Sequence, residues 1–255
     1  MNRLGGVVVT GAADGIGRAI AEGFLKAGRQ VHICDIRADA LRAAVAESPG
    51  LRGTVADVGQ RAAVSEVFEA ARGWMGEVDV LVNNVGIGGP RGPIEEIDPD
   101  AWAESFRVNV AGALYGMQTV IPEMKARRRG AIVNISTAST RTGLPMRTPY
   151  VASKTALEGL TRNAARELGP WGIRCNALLP GIMDNARMDG LIAARAAREG
   201  RAPAEIEADY LRFVSLRART RPEDVADAAV FLASEAAARI TGEIISVSGN
   251  LEWEE

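Results

Sequence analysis

Short runs of β-branched and other apolar residues alternate with amphipathic stretches along most of the 255-residue chain. The runs lack an alternation of apolar and polar positions, which is typical of strands that are buried on both faces. The stretches between them repeat apolar residues every three or four positions, as helices do. The pattern predicts strands at 7–9, 31–34, 54–56, 78–82, 131–135, 173–179 and 244–247. It also predicts a first helix that stops at Gly28 and further helices at 38–47, 64–71, 99–126, 150–168 and 224–232.

Strands separated by helical segments of ~10–15 residues form βαβ units, and such units build parallel sheets. The chain is therefore predicted to form a single α/β domain over residues 1–255, a doubly wound parallel sheet with helices on both faces. Residues 184–218 interrupt the regular alternation of strands and helices, because they form a helical segment rich in Ala and Arg between two strands. An insertion beyond the carboxyl end of a strand is a common place for a substrate lid. A plain pair of packing helices is the alternative.

The composition is typical of a globular protein, since 47% of the residues are hydrophobic and 24% are charged. A formal net charge of −2 gives no basic field for nucleic acid or an anionic membrane surface. No apolar stretch approaches the ~20 residues of a spanning helix, and the start of the chain lacks a signal-peptide layout. We therefore expect no nucleic-acid or membrane partner, and a cytoplasmic protein.

Cysteine and histidine are too scarce for several kinds of site. Cys34 and Cys175 are the only cysteines, too few for a disulfide framework or a zinc site, and both lie in apolar runs. His32 is the only histidine, so the chain cannot build a Ser-His-Asp triad or a histidine-rich metal site. No metal site is predicted.

The segment TGAADGIG at 10–17 follows the first strand and opens the first helix. Glycines at such a place let the backbone approach a pyrophosphate, and the helix N-terminus supplies free N–H groups and the positive end of its dipole. The spacing G-x-x-x-G-x-G differs from the general G-x-G-x-x-G pattern of Rossmann folds. The predicted dinucleotide-binding residues in this segment are Gly11, Asp14, Gly15, Ile16 and Gly17.

Asp35 closes the second predicted strand, about 20 residues further on, and Ile36 follows it. A carboxylate there accepts hydrogen bonds from the ribose hydroxyls of NAD and repels a 2′-phosphate, so NAD is favoured as the cofactor. Arg37 lies close enough in sequence to meet a phosphate, and NADP therefore remains a less favoured alternative. A helix N-cap is the structural alternative for Asp35.

Tyr150 and Lys154 lie four residues apart in a predicted helix, in the segment YVASK. Residues at this spacing share one helix face. A free tyrosine is a weak base at neutral pH, and a neighbouring ammonium favours its phenolate form. The pair is therefore a candidate for proton transfer coupled to hydride transfer.

These motifs together resemble the short-chain dehydrogenase/reductase family in its short, single-domain form. The resemblance extends over nearly the whole chain, from Val7 to about Gly249. Besides the glycine turn and the Tyr150/Lys154 pair, it rests on Asp57-Val58, Asn83-Asn84-Val85-Gly86, Asn109 and Pro180-Gly181.

The resemblance implies an oxidoreductase that moves a hydride between a nicotinamide and a carbonyl or alcohol carbon. It implies that Tyr150 transfers the proton, that Lys154 tunes Tyr150 and holds the nicotinamide ribose, and that Asn109 orders a water chain behind Lys154. The implied partners are an alcohol or ketone substrate and copies of the same chain, in a homotetramer or homodimer. The other implied cofactor contacts are Asp57 and Val58 at the adenine, Asn83, Asn84, Val85, Gly86, Pro180, Gly181 and Ile182.

The largest departure from the family concerns its catalytic serine, which lies thirteen residues before the tyrosine. Thr137 occupies that position here. A threonine hydroxyl makes the same hydrogen bond to the substrate oxygen, with a stiffer rotamer. Ser139 is a second candidate if the loop is rearranged, and Ser136 is expected to point into the sheet.

Three further positions depart from the family pattern. Val85 stands where the family usually has alanine, which is expected to be tolerated but to shift the turn. Asn185 stands where a threonine often binds the nicotinamide amide, and it offers both a donor and an acceptor. Ser248 stands where the family has aspartate in Val-Asp-Gly.

Arginines recur in the loops that are expected to border the substrate, at positions 91, 141, 147 and 187. Arginine binds carboxylate, phosphate and sulfonate groups with two parallel hydrogen bonds, so a polar or anionic substrate is one hypothesis and solvated loop charges are the alternative. For the whole chain, an NAD(H)-dependent alcohol dehydrogenase or ketoreductase is the leading interpretation. A cofactor-binding regulatory protein without turnover, and a lyase or epimerase on the same fold, are the alternatives.

Overall fold

The computed structural model describes residues 5–252, which form one parallel sheet of seven strands with helices on both faces. The predicted fold class is confirmed. The strands are β1 Gly6–Thr10, β2 Val31–Asp35, β3 Leu51–Val55, β4 Val78–Asn83, β5 Gly130–Ile135, β6 Ile173–Pro180 and β7 Ile244–Val247. The helices are α1 Gly15–Lys26, α2 Ala38–Glu47, α3 Arg61–Met75, α4 Pro99–Phe106, α5 Gly112–Arg127, α6 Ser139–Thr142, α7 Thr148–Leu168, α8 Ala186–Glu199, α9 Pro203–Leu211 and α10 Pro222–Ala233.

The strand order is β3-β2-β1-β4-β5-β6-β7, so the direction of winding reverses between β1 and β4. Ligands of doubly wound sheets bind at such a reversal, outside the carboxyl ends of the strands. Val7 and Val9 of β1 belong to a core with α1, α2 and α10, whereas Val8 belongs to a core with α3, α5 and α7. Both faces of the sheet are therefore covered, which explains the unbroken apolar runs in the sequence.

Most predicted elements differ from the structure by a few residues at their ends, and the two most informative differences concern the third strand and the helix at 99–126. The third strand begins at Leu51, three residues before the prediction, and ends at Val55. It is an edge strand, and its exposed Arg52 and Gly53 weaken the apolar pattern by which a strand is recognised in the sequence. Glycine is required at position 53 for packing, because a Cβ there would lie 2.9 Å from Cδ1 of Leu41 in α2. The predicted helix at 99–126 is interrupted by a π-helical turn, Arg107–Ala111, between α4 and α5.

Two neighbouring strands carry a buried amide pair. Asn83 of β4 and Asn134 of β5 are register partners, and Asn83 Nδ2 donates to Asn134 Oδ1 at 2.8 Å. Asn134 Nδ2 donates in turn to Thr161 Oγ1 of α7 at 2.9 Å. These bonds join β4, β5 and α7 near the carboxyl ends of the two strands, next to the candidate site.

Residues 184–218 form α8, α9 and a following irregular segment. Ile192, Ala196 and Ile206 make a small apolar cluster that is separate from the two cores of the sheet. The residues that flank the segment hold its two ends near each other, because Asp184 N donates to Thr220 O at 2.8 Å and Thr220 N donates to Ile182 O at 2.7 Å. Among residues 5–252, no helix has the length and apolar character needed to cross a membrane.

Candidate active site

The glycine-rich turn joins β1 to α1 at the point where the winding reverses. Gly11 and Gly15 have φ angles of +61° and +55°, which side-chain-bearing residues rarely adopt. A Cβ at Gly17 would lie 2.3 Å from the carbonyl oxygen of Gly11, so this position requires glycine for close packing of the helix against the turn. Asp14 precedes α1 without a side-chain cap, so its carboxylate leaves the first N–H groups of the helix free. A dinucleotide phosphate fits this arrangement.

Asn84 fixes the turn to the end of β4. Its Nδ2 donates to the carbonyl oxygens of Thr10 at 3.0 Å and Gly11 at 2.8 Å. Val85, the unusual residue of this segment, packs its Cγ2 against Gly11, where a Cβ would lie only 2.8 Å away. The larger side chain is thus accommodated by the absence of a side chain at Gly11.

Asp35 lies at the end of β2, 5% exposed, with its carboxylate held on two sides. Its Oδ2 accepts from Ala13 N at 3.2 Å, and Arg37 donates from Nε to Oδ1 and from Nη2 to Oδ2, both at 3.1 Å. Burial raises the pKa of Asp35, but the hydrogen bonds of Arg37 and Ala13 outweigh it and hold the pKa below its ordinary value. The Arg37 guanidinium also donates to Asp14 at 2.6 Å. The arginine is therefore engaged by two carboxylates.

A cavity of about 430 Å³ extends along the carboxyl ends of β1, β2 and β4. Asp57 lies on its wall, where its Oδ1 accepts from Gly59 N at 2.9 Å and its Oδ2 accepts from Arg107 at 3.2 Å. Of the residues predicted to bind the cofactor, this cavity is lined by Gly11, Asp14, Asp35, Ile36, Asp57, Val58, Asn84, Val85 and Gly86.

A second cavity of about 180 Å³ lies at the ends of β4, β5 and β6. Thr137, Tyr150 and Lys154 line it together. Asn84 and Gly86 line both cavities, so the two are neighbours along one edge of the sheet. The other predicted residues that line the second cavity are Ile16, Pro180 and Gly181.

The three hydroxyl groups near this cavity have different surroundings. Ser136 Oγ donates to Glu158 Oε1 on α7 at 2.8 Å, so it points toward that helix and the expectation that it points into the sheet is wrong. Thr137 Oγ1 makes only long contacts, at 3.3 and 3.4 Å, to Ser139. Ser139 begins α6 and does not line the cavity. Of the three, Thr137 has the hydroxyl that is best able to bind another oxygen.

Lys154 is 2% exposed and reaches the cavity from α7. Its Nζ donates to Ile135 O at 2.7 Å and lies 3.5 Å from Val85 O. Burial lowers the pKa of Lys154 to about 8, because the ammonium has lost most of its water. A Cβ at Gly86 would lie 2.7 Å from this nitrogen, so glycine at that position leaves room for the lysine.

Asn109 lies in the π-helical turn, 1% exposed. Its Oδ1 accepts from Ile87 N at 2.7 Å, and its Nδ2 donates to Ile87 O at 3.0 Å and to Ser153 Oγ at 2.9 Å. The asparagine thereby joins the segment after β4 to the helix that carries Tyr150 and Lys154. Single π-turns inside α-helices are frequent at functional sites.

Several predicted residues lie outside the two cavities. Asn83 is buried in the amide pair with Asn134, and Ile182 contributes its carbonyl to the bond with Thr220. Asn185 is exposed and caps α8, where its Oδ1 accepts from Met188 N at 2.9 Å. Gly15, Gly17 and Asn109 also line neither of these two cavities. The cavities are also lined by residues that the sequence does not predict, because no motif marks them: Ala56, Ile87, Glu104, Arg107, Val108, Ile135 and Met183.

The four predicted border arginines divide into two groups. Arg147 is buried against the Tyr150 ring, with its guanidinium carbon 5.4 Å from the ring centroid, and the charges of Arg91 and Arg187 act on it. Arg141 instead donates to the carbonyl of Ile244 at 3.0 Å, at the start of β7. We call Arg91, Arg147 and Arg187 the arginine cluster, because the charges of Arg91 and Arg187 act on Arg147. Among the described residues, no His, Cys, Asp and Glu side chains form a group of three or more that could hold a metal ion.

The winding reversal, the glycine turn and the Tyr150/Lys154 pair along one crevice define a Rossmann-fold oxidoreductase. A family model described as Enoyl-(Acyl carrier protein) reductase matches residues 11–251. The chain belongs to the short-chain dehydrogenase/reductase family, whose members bind nicotinamide cofactors and include dehydrogenases and ketoreductases.

One curated relative is the cis-4-hydroxycyclohexanecarboxylate dehydrogenase of Sinomonas cyclohexanicum, which is 35% identical over 248 residues, 95% of this chain and 94% of that protein. A solved structure of a single-residue variant of actinorhodin polyketide ketoreductase with NADPH has a TM-score of 0.90 at 28% identity, covering 97% of both chains. A structure of NAD⁺-bound xylitol dehydrogenase has a TM-score of 0.88 at 27% identity, covering 98% of this chain and 100% of that chain.

Proposed function

We propose that this protein is an NAD(H)-dependent oxidoreductase that interconverts a secondary alcohol and a ketone, with Tyr150 as the proton donor and acceptor. One observation carries the proposal: Thr137, Tyr150 and Lys154 line a single cavity, beside the cavity that Asp35 lines. The nicotinamide supplies or accepts the hydride when it is bound. The relatives that are named for dehydrogenase and ketoreductase activity support this reaction class.

In the proposed mechanism, the protein's own groups position the substrate oxygen and move one proton. Tyr150 gives its hydroxyl proton to the carbonyl oxygen in reduction and takes it back in oxidation. The Thr137 hydroxyl holds that oxygen, since its own contacts within the protein are long. The buried Lys154 ammonium favours negative charge on Tyr150 in oxidation. Asn109 positions the helix of both residues through Ser153, and we propose that it also supports the proton relay behind Lys154.

Tyr150→Phe separates this function from a cofactor-binding protein without turnover. We expect the variant to bind NADH as the wild type does and to lose on the order of 10²- to 10⁴-fold in turnover, the range typical of a lost general acid or base. Tyr115→Phe is the matched control, because Tyr115 lies on α5, outside both cavities, with its ring against Arg61. The assay is a screen of alcohols and ketones read at the nicotinamide absorbance. Equal activity of Tyr150→Phe and wild type would refute the proton-transfer role.

We propose NAD as the preferred cofactor because Asp35 keeps its charge and lines the cavity. Arg37 is already engaged by Asp35 and Asp14, which reduces its availability for a 2′-phosphate. We expect Asp35→Ser to lower kcat/KM with NAD and to raise it with NADP, so that their ratio changes on the order of 10- to 100-fold. Asp39→Ser, on the outside of α2, is the control. An unchanged ratio in Asp35→Ser would reject the argument.

The remaining elements of the proposal concern the substrate region and the assembly. We propose that residues 184–218 act as a lid, because α8 and α9 have their own apolar cluster and the ends of the segment meet beside Pro180 and Gly181. The proposal also includes Asn185 and Ile182 as cofactor contacts, a homotetramer or homodimer, a cytoplasmic location, and a polar or anionic substrate. The relative named for a hydroxycyclohexanecarboxylate supports that substrate class. Light scattering of the purified protein tests the assembly.

A further inference from the structure

Arg147 is the most unusual charged residue outside the proton-transfer groups. It is 6% exposed, and a guanidinium has five N–H donors. Its Nη2 donates to Gly88 O at 3.0 Å, whereas its Nε is buried without a hydrogen-bond partner among the described residues. Its Nη1 also makes no hydrogen bond to residues 5–252. The buried Nε without a partner is costly, so the arrangement calls for an acceptor.

Neighbouring positive charges increase the free-energy cost of burying the Arg147 guanidinium. Burial lowers the pKa of Arg147, and the positive charges of Arg91 and Arg187 lower it further. No carboxylate within the described part of the chain forms an ion pair with any of these three arginines. Arg147 also immediately precedes the 21-residue helix α7, whose positive dipole end disfavours a cation. The region therefore has an excess of positive charge that a bound anion would neutralise.

The backbone is shaped to hold the guanidinium in place. A Cβ at Gly88 would lie 2.0 Å from Arg147 Nη2 and 3.1 Å from its Cζ, so only glycine leaves this space to the side chain. Met146, directly before Arg147, has a φ of +65°, an unfavourable conformation for a side-chain-bearing residue. Gly92 N donates to Met146 O at 3.2 Å, which joins the segment of Arg91 to that of Arg147.

We propose that Arg147, with Arg91 and Arg187, binds an anionic group of the substrate, a carboxylate or a sulfonate, beside Tyr150. The proposal rests on the oxidoreductase function proposed above and adds the chemical class of the substrate. The planar guanidinium forms two parallel hydrogen bonds to the oxygens of such a group. The guanidinium carbon is 5.4 Å from the centroid of the Tyr150 ring, so an anionic group bound to Arg147 and a carbon that reacts at the Tyr150 hydroxyl can belong to one small substrate.

Matched substrates provide the first test. Oxidation of 3-hydroxybutanoate, a 2-hydroxyalkanesulfonate and the neutral 3-hydroxybutanamide is compared by kcat/KM. We expect the preferred anion to exceed the amide on the order of 10- to 100-fold, the value of a charge-assisted hydrogen bond. The carboxylate and sulfonate arms identify which anion the site prefers. An amide that is as good a substrate as both anions overturns the proposal.

Arginine variants provide the second test. We expect Arg147→Gln to reduce the ratio of kcat/KM between the preferred anion and the amide on the order of 10- to 100-fold, mainly through KM. Arg141→Gln, whose arginine binds the sheet edge, is expected to keep the wild-type ratio. Arg187→Gln serves if the buried variant fails to fold, since Arg187 is exposed, and it should reduce the ratio several-fold. A wild-type ratio in both folded cluster variants, or in Arg187→Gln where Arg147→Gln fails to fold, overturns the proposal.

A binding measurement separates this proposal from the reaction itself. Titration calorimetry with butanoate and propane-1-sulfonate, in the presence of NADH, is expected to show binding to wild type and to Arg141→Gln, but not to Arg147→Gln. Anion binding of this pattern without turnover of any alcohol or ketone supports the arginine site and rejects the oxidoreductase function. Turnover of neutral alcohols without anion binding does the reverse.

Discussion

Lys154→Met is expected to abolish turnover and to stabilise the folded protein. The lysine is buried, and its pKa falls from 10.5 to about 8 because the ammonium is desolvated. One pKa unit corresponds to about 1.4 kcal/mol, so the charge opposes folding by about 3 kcal/mol at neutral pH. Methionine has a similar shape and no charge. It removes this cost, although the lost hydrogen bond to Ile135 O subtracts about 1–3 kcal/mol. The net gain at pH 7 is therefore roughly 0–2 kcal/mol.

The pH dependence gives the sharper test. The folded pKa of Lys154 lies below the value of 10.5 for an unperturbed lysine, so the unfolded chain binds more protons between pH 8 and pH 10.5. Stability of the wild type then rises with pH in that window, while the variant lacks this contribution. We expect the difference in free energy of unfolding between Lys154→Met and wild type to shift by about 2–3 kcal/mol in favour of the wild type from pH 7 to pH 10.

Urea unfolding at pH 7, 8.5 and 10 measures the difference. Lys26→Met, at the exposed end of α1, controls for the substitution itself. A difference between Lys154→Met and wild type that stays constant with pH, or that shifts in favour of the variant, would refute the reasoning. Retained turnover in Lys154→Met would refute its place in the mechanism.

Two further predictions concern residues away from proton transfer. Burial lowers the pKa of His32 to about 4, and Trp74 Nε1 donates to its Nδ1 at 3.1 Å. The chain has no other histidine, so NMR should show a single imidazole that titrates well below pH 6.5, and a midpoint near 6.5 contradicts this. The free energy of unfolding should fall by up to about 3 kcal/mol as the pH is lowered from 6.5 to 4. Gly17→Ala should destabilise the folded protein by about 1–3 kcal/mol and weaken NADH binding, because its Cβ would lie 2.3 Å from Gly11 O. Gly159→Ala in α7 is the control, since its Cβ meets nothing within 4 Å, and it should stabilise the folded protein by about 0.5–1 kcal/mol in thermal unfolding. Equal effects of the two substitutions would exclude the steric explanation.

The sequence predicts the parallel sheet well because buried strands have a simple apolar signature. It finds β3 but places its start three residues late, because Arg52 and Gly53 occupy an edge strand, which has a neighbouring strand on one side only among the described residues. It also misses the π-helical turn around Asn109, since one extra residue in a helix leaves no mark in the apolar pattern. Such local features depend on hydrogen bonds to distant segments, here to Ile87 and Ser153.

The candidate site is predicted in part for the same reason. Tyr150 and Lys154 are found from their spacing along one helix, and Thr137 from the resemblance to the family, whose catalytic serine lies thirteen residues before the tyrosine. The sequence gives no indication that Arg147 is buried while Arg141 is exposed and binds the sheet edge, because both are arginines in loops. Burial of a long charged side chain depends on the space left by other segments, which for Arg147 is the space at Gly88.

The amide pair of Asn83 and Asn134 has a consequence for how the crevice is assembled. A slip of β5 by one residue against β4 would turn one amide to the opposite face and leave both amides without a partner inside an apolar sheet. Each orphaned amide would cost about 1–3 kcal/mol. The bond from Asn134 to Thr161 extends the same discrimination to α7. The pair thus favours the correct register of β4 and β5 during folding. Structures with the wrong strand register are disfavoured before any ligand is present. The correct register fixes the position of Tyr150 on α7 relative to the strand ends.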